Sequence, residues 1–167
     1  MKNKTFIESL EVSVLQCHKE KRPHWVSHFK VPSANELLIK IKSNEGHEGF
    51  GMATSYTDIK PIIEPFKNGI ADLIIGEDPF RPEKLYDKIF KLTDTRKSNE
   101  KKWSREAIIR ISSALDIACW DLIGKSSKLP LYKLFGGFKN QVPCYVTCAY
   151  YRDGKDNNEL KEEIEKL

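Results

Sequence analysis

The chain has 167 residues, 40% of them hydrophobic, and its net charge of +4 comes from 28 Lys and Arg against 24 Asp and Glu. That supports one good core with a second domain begun. The thinly spread basic residues, broken even at Lys19, Lys21 and Arg22 by Glu20, argue against a nucleic-acid partner, which asks for a basic stripe with stacking aromatics.

No window approaches the roughly 20 apolar residues of a membrane span, and the start, MKNKTFIESL, has no signal-peptide core. A cytoplasmic location is therefore expected. Residues Lys4–Cys17 alternate as a strand with Phe6, Leu10, Val12 and Val14 on one face. His18–Ser33 follows, polar, bracketed by prolines and without either period. A second strand over Glu36–Lys42 turns Leu37, Ile39 and Ile41 inward, Asn44–Gly46 makes a turn, and Gly49–Ser55 is a third strand. Gly46, Gly49 and Gly51 point to a tight turn and a close backbone approach. Together these predict a three-stranded antiparallel meander.

The next stretch is helical. Thr57-Asp58 precedes a helix that runs to about Lys67 and is interrupted near Pro61 and Pro65, and a short piece covers Ile70–Ile75. Gly76–Pro79 is a loop, Pro82 opens a helix marked by Leu85, Ile89 and Leu92 that ends near Thr95, and Lys97–Lys102 is a polar, mobile loop. Ser104 caps a long helix that Gly124 stops. At about 100° per residue, Ile108, Ile111, Leu115, Ala118, Cys119 and Leu122 fall on one stripe of that helix. Ile109, Ile117 and Trp120 gather on roughly the opposite side, with Asp116 and Asp121 between. A helix with two apolar sides is covered from both.

After Gly136-Gly137 the pattern changes. Val142, Cys144, Val146 and Cys148 alternate as a new strand, a loop covers Arg152–Asn158, and Leu160, Ile164 and Leu167 lie on one face of a last helix. A strand, a loop and a helix are the opening of a βα series. Cys17, Cys119, Cys144 and Cys148 form no CxxC pair and read as reduced thiols in core packing.

Four segments in order, EGHEGFG, IIGEDPF, ALDIACWDLIGK and LPLYKLFGG, resemble the enolase superfamily, in its mandelate racemase and muconate lactonizing branch. The resemblance covers nearly the whole chain, with one departure at Met52, where many relatives carry glutamate. It implies an α+β fold: residues 1–137 as an N-terminal capping domain, a meander followed by a helical bundle, and residues 138–167 as the first βα unit of an incomplete TIM-type barrel. It also accounts for the two-sided helix, because such a cap packs on its barrel. The KKWSREA segment looks like stretches of acid-sugar dehydratases in the superfamily.

The same resemblance implies a parent enzyme that binds Mg²⁺ through carboxylates on later barrel strands. There a Lys or His base removes a proton α to a carboxylate, for dehydration, racemisation or epimerisation of a hydroxy or sugar acid. No catalytic residue and no metal ligand is expected in these 167 residues, which read as inert alone and as part of a longer, homo-oligomeric enzyme that includes the barrel. Contact with the carboxylate substrate is expected from the loops after the first and third strands, at Arg22, His24, Trp25, His28 and Tyr56, with Arg the natural carboxylate partner. Tyr151 and Arg152, beside Tyr150 after the first barrel strand, form a second substrate-binding group. His24 and His28 have the i, i+4 spacing of a helical metal pair but no helix signal and no third ligand. The competing reading is a stand-alone, cap-derived binding module whose second apolar side is covered by a partner.

Overall fold

The computed structural model describes residues 4–16, 23–26, 29–31, 35–56, 58–94 and 100–167. Strand β1 (Ile7–Gln16) is followed by two short strands, β2 (His24–Trp25) and β3 (Lys30–Val31), and then by β4 (Asn35–Ser43) and β5 (Glu48–Ser55). The three long strands form an antiparallel sheet in the order β1-β4-β5. Val12, Ile39 and Gly51 lie side by side across it, as do Leu10, Ile41 and Gly49. This row faces the core, where Leu37, Ile39 and Ile41 are fully buried. Met52 lies on the other face and is exposed.

The predicted inward face of β1 shifts at its start. The pairing moves from Ile7 opposite Ser43 to Ser9 opposite Lys42, so Glu8 is an extra residue. A bulge of this kind reverses the alternation, which buries Ile7 and leaves Phe6 exposed.

The helices cover one face of the sheet. Helix α1 (Lys60–Pro65) widens at Pro65, which has no N–H to continue the ladder, into a helical turn over Phe66–Ile70 with Gly69 at φ 135°. Helix α2 (Ala71–Ile74) follows directly. Helix α3 (Pro82–Phe90) starts on its proline, buries Leu85 and Ile89, and ends in a tighter turn over Lys91–Thr93, two residues short of the expected Thr95. Of the loop expected at Lys97–Lys102, residues 97–99 lie outside the described residues, and Glu100 and Lys101 are helical.

The long helix α4 (Arg105–Ser127) is the centre of the molecule. Ser104 Oγ accepts from the Ala107 N–H at 3.1 Å, as a Ser cap should. Gly124 does not stop it. The helix continues to Ser127 and ends at Lys128, whose φ of 55° is left-handed, with the Leu129 N–H donating to the Gly124 carbonyl at 3.0 Å. Gly124 serves packing instead: a Cβ there would sit 3.2 Å from the Leu129 carbonyl oxygen and 3.3 Å from Leu131.

Gly49 and Gly51 let α4 lie directly on β5. A Cβ at Gly49 would come within 2.8 Å of Leu122 Cβ, and one at Gly51 within 2.9 Å of Ala118 N, each nearer still to a helix carbonyl. Asp121 closes the same contact by accepting from the outward-facing Phe50 N–H at 2.8 Å and pairing with Lys125 at 2.5 Å. The first stripe of α4 is buried throughout. On the second side Ile109 is 38% and Ile117 48% exposed, while Trp120 is half-buried with its ring 4.7 Å from that of Phe135 in an edge contact.

Helix α5 (Leu131–Leu134) follows. The strand expected over Val142–Cys148 forms no ladder, because no described strand runs alongside it to supply donors and acceptors. Its side chains Val142, Tyr145 and Val146 are exposed. The chain pairs only at β6 (Tyr151–Arg152), before Asp156 caps helix α6 (Asn157–Glu165). Cys119 is in the core as expected, whereas Cys144 is exposed for the same want of a neighbour, Cys148 is half-buried and Cys17 lies outside the described residues. No described helix is long and apolar enough to cross a membrane.

Candidate functional site

A small second sheet brings the two predicted groups of substrate residues together. It has the order β3-β2-β6, so the stretch between the first two long strands, unassigned from periodicity, holds a hairpin. The Val26 N–H donates to the Phe29 carbonyl at 3.0 Å across the hairpin, and Val31 is buried. His24 pairs with Arg152 and Trp25 with Tyr151 on the other side.

Side chains reinforce the backbone ladder. Trp25 Nε1 donates to Asp153 Oδ1 at 3.0 Å, and the Lys30 ammonium pairs with the other oxygen of Asp153. Lys30 also lies 5.0 Å from the centre of the Trp25 ring, within cation–π range. The His24 and Tyr150 rings are 4.9 Å apart, and Phe29 reaches toward Tyr56 at 6.3 Å. The result is a shelf that exposes Trp25, Tyr56, Tyr151 and Arg152 to solvent.

Of the predicted contact residues, His24, Trp25, Tyr151 and Arg152 therefore meet, and Tyr56 adjoins them through Phe29. Arg22 and His28 lie outside the described residues. His24 sits in a strand rather than a helix, and among the described residues no group of three or more His, Cys, Asp or Glu is placed to hold a metal ion. Sequence reasoning missed Phe29, Lys30 and Asp153. Strands of two residues leave no periodic trace, and Asp153 looked like an ordinary loop acid beside Gly154.

Arg152 contributes charge to helix α6. Glu163 there is held below the usual carboxylate range, first by hydrogen bonding from Lys155, then by the Ala149 N–H, with Arg152 adding a smaller attraction. Chemically the shelf offers a guanidinium, an imidazole, phenol hydroxyls and an indole face. These can bind a carboxylate and its hydroxyl groups.

A second feature is the open side of α4. Trp120 borders a cleft of about 560 Å³ with Phe80, Pro82 and the start of α3. Asp116 is pushed above its ordinary value by burial, a hydrogen bond with Trp120 opposing and the charge of Glu83 adding. Nearby, the IIGEDPF segment ties β1 to α3. The Ile7 N–H donates to the Glu77 carbonyl at 2.8 Å, while the Glu77 carboxylate accepts from Lys84 at 2.8 Å and Lys88 at 2.7 Å and is held down to about 2 by them.

Residues 9–136 match the family described as mandelate racemase / muconate lactonizing enzyme, N-terminal domain. The chain belongs to that family. Its meander and helices have the architecture of the enolase-superfamily capping domain. It is 33% identical over 128 residues to arabinonate dehydratase of Saccharolobus solfataricus, covering 76% of this chain and 32% of that one. The crystal structure of L-talarate/galactarate dehydratase from Salmonella typhimurium LT2, liganded with Mg and L-lyxarohydroxamate, superposes with a TM-score of 0.68 at 27% identity, over 86% of this chain and 37% of that one. Dipeptide epimerase from Enterococcus faecalis V583, complexed with Mg and the dipeptide L-Leu-L-Tyr, gives a TM-score of 0.62 at 27% identity, over 82% and 36%. This cap thus occurs in relatives that are dehydratases and epimerases. The chain spans about a quarter to a third of the length of the curated relatives it matches.

Proposed function

We propose that this chain is the cap and opening βα unit, residues 1–137 and 138–167, of a cytoplasmic, homo-oligomeric enolase-superfamily enzyme. That enzyme dehydrates, racemises or epimerises a hydroxy or sugar acid in a Mg²⁺-dependent reaction. On this reading the metal ligands and the base belong to later barrel strands; among the described residues no group of three or more His, Cys, Asp or Glu is placed to hold the metal. The part of this chain is to choose the acid, through Arg22, His24, Trp25, His28, Tyr56, Tyr151 and Arg152.

The observation that carries this reading is the pairing of β2 with β6. It sets His24 and Trp25 against Arg152 and Tyr151, and if Val142–Cys148 becomes the first strand of a barrel, that segment would lie at the strand end where active sites form. Taking a proton from the carbon next to a carboxylate adds negative charge to an acid that is already charged. The acid must therefore be gripped firmly and kept from water. A guanidinium supplies the grip, and a hairpin carrying Trp25 and Phe29 supplies a cover. The open apolar side of α4 supports a barrel lying against it.

The test is α-proton exchange in D₂O, with Mg²⁺, by the product of the whole gene on a panel of aldonic and aldaric acids. Loss of the α-proton signal, with a 2-keto-3-deoxy acid where the β-hydroxyl departs as water, is the expected result for at least one acid. The 167 residues alone should show neither. Absence of both reactions in the whole gene product, alongside a monodisperse 167-residue protein, would favour the binding module instead.

A further inference from the structure

The turn that carries Tyr150, Tyr151, Arg152 and Asp153 is held from behind by an ion pair that the proposed chemistry does not use. The Lys155 side chain is only 9% exposed, unusual for an ammonium in so open a region. It donates to the Tyr150 carbonyl at 3.1 Å and pairs with the Glu163 carboxylate on α6. The other oxygen of Glu163 accepts from the Ala149 N–H at 3.1 Å. An ammonium so shielded is tolerated only when it is paired and its hydrogen bonds are filled; Lys155 and the half-exposed Glu163 spend their remaining bonds on the backbone of two adjacent residues.

Those two residues are where the chain needs holding. Ala149 has a φ of 63°, in the left-handed region that a residue with a Cβ disfavours. A single non-glycine residue stays there only when its surroundings dictate it. The bond from its N–H to Glu163 fixes Ala149, and the bond from Lys155 to the Tyr150 carbonyl fixes the Tyr150–Tyr151 peptide. The direction set at Ala149 then decides where Tyr150 meets His24, where Tyr151 pairs with Trp25, and where Asp153 receives Trp25 and Lys30.

We propose that Lys155 and Glu163 are positioning residues that set the docked position of the β2–β3 hairpin, acting through the backbone of Ala149 and Tyr150. The consequence for substrate choice rests on the function proposed above, whereas the positioning itself does not.

The experiment follows the Trp25 indole N–H in ¹H–¹⁵N spectra of the 167-residue protein, assigned by Trp25→Phe, with the indoles of Trp103 and Trp120 as internal controls. Asp153→Ala defines the released hairpin. Lys155→Met should move the Trp25 signal at least half-way to that reference and raise its exchange with water about tenfold, leaving the other two indoles in place. Lys155→Arg, which can make both bonds, should restore it. If Lys155→Met disturbs all three indoles, Glu163→Gln is read in the same way, with the same expected shift. A Trp25 signal that stays at its wild-type position while the α6 amides move, or that Lys155→Arg does not restore, overturns the proposal. If Trp25 moves as expected but Lys155→Met leaves KM of the whole gene product for its acid unchanged, the positioning stands and the assignment of this shelf to substrate fails.

Discussion

Replacing Gly51 with alanine tests the central contact of the fold, because it adds one methyl group where α4 rests on β5. The new Cβ would fall 2.9 Å from both Ala114 C and Ala118 N, and closer still to the Ala114 carbonyl oxygen. All three are backbone atoms of a helix whose buried stripe, with Ile111, Leu115 and Leu122, is fully packed. No side-chain rotation relieves the clash, so the helix must lift off the sheet or the strand must bend. Overpacking where side chains can adjust costs typically 1–3 kcal/mol, so a rigid backbone should put Gly51→Ala at about 3 kcal/mol or more. Against a net stability of about 5–15 kcal/mol for a domain, that is a large share. At roughly 2–4 °C per kcal/mol for a chain of this size, the melting midpoint should fall by about 6 °C or more. The assay is thermal and urea unfolding followed by circular dichroism. Gly46→Ala is the control: it has open space around it and only a φ of 86° to accommodate, worth about 1–2 kcal/mol. If Gly51→Ala unfolds within 0.5 kcal/mol of the wild type, or costs no more than Gly46→Ala, the helix does not seat on the strand backbone as described.

Ile117→Lys should leave the unfolding midpoint of the 167-residue protein within about 0.5 kcal/mol, as for surface substitutions generally, since Ile117 is 48% exposed. In the whole gene product, where a barrel is proposed to cover it, the same change should cost about 1.5–3 kcal/mol, read as a lower melting midpoint. The Glu77 carboxyl is held at about 2 against its ordinary 4.5, so its stabilisation is full above pH 4.5 and fades as pH falls toward 2. The shift sets a ceiling of about 3 kcal/mol, which water at the part-exposed lysines should reduce to about 1–2 kcal/mol; Glu77→Gln should flatten the acid limb of stability measured by urea unfolding at a series of pH values. Burial pushes the Cys119 thiol up to about 12, so iodoacetamide at pH 8, read by peptide mass mapping, should label exposed Cys144 within minutes and leave Cys119 untouched in the folded protein.

Much of this molecule is legible in its sequence. Leu37, Ile39 and Ile41 announce a half-buried strand by strict alternation, and Gly49 and Gly51 announce a close approach because nothing else excludes every side chain. Ser104 and the two apolar sides of α4 could be read from residue type and spacing alone. The errors share a cause. The bulge at Glu8, the continuation of α4 past Gly124 and the missing ladder at Val142–Cys148 depend on what lies beside each residue, which a one-dimensional pattern does not encode. The contact shelf was half legible. Arg152, Trp25 and Tyr151 stood out by chemistry, but Lys30 and Asp153 became partners only when residues more than a hundred positions apart were brought together.

Local periodicity and the ordered motifs were enough to give the α+β cap, its family and a second apolar side on α4, because each arises from neighbours along the chain. Which loop faces which, and that Lys155 and Glu163 stand behind the Tyr150–Asp153 turn, was settled only by tertiary packing. Hydrogen bonds and ion pairs between distant segments form at fixed separations in space, and sequence distance carries no record of them.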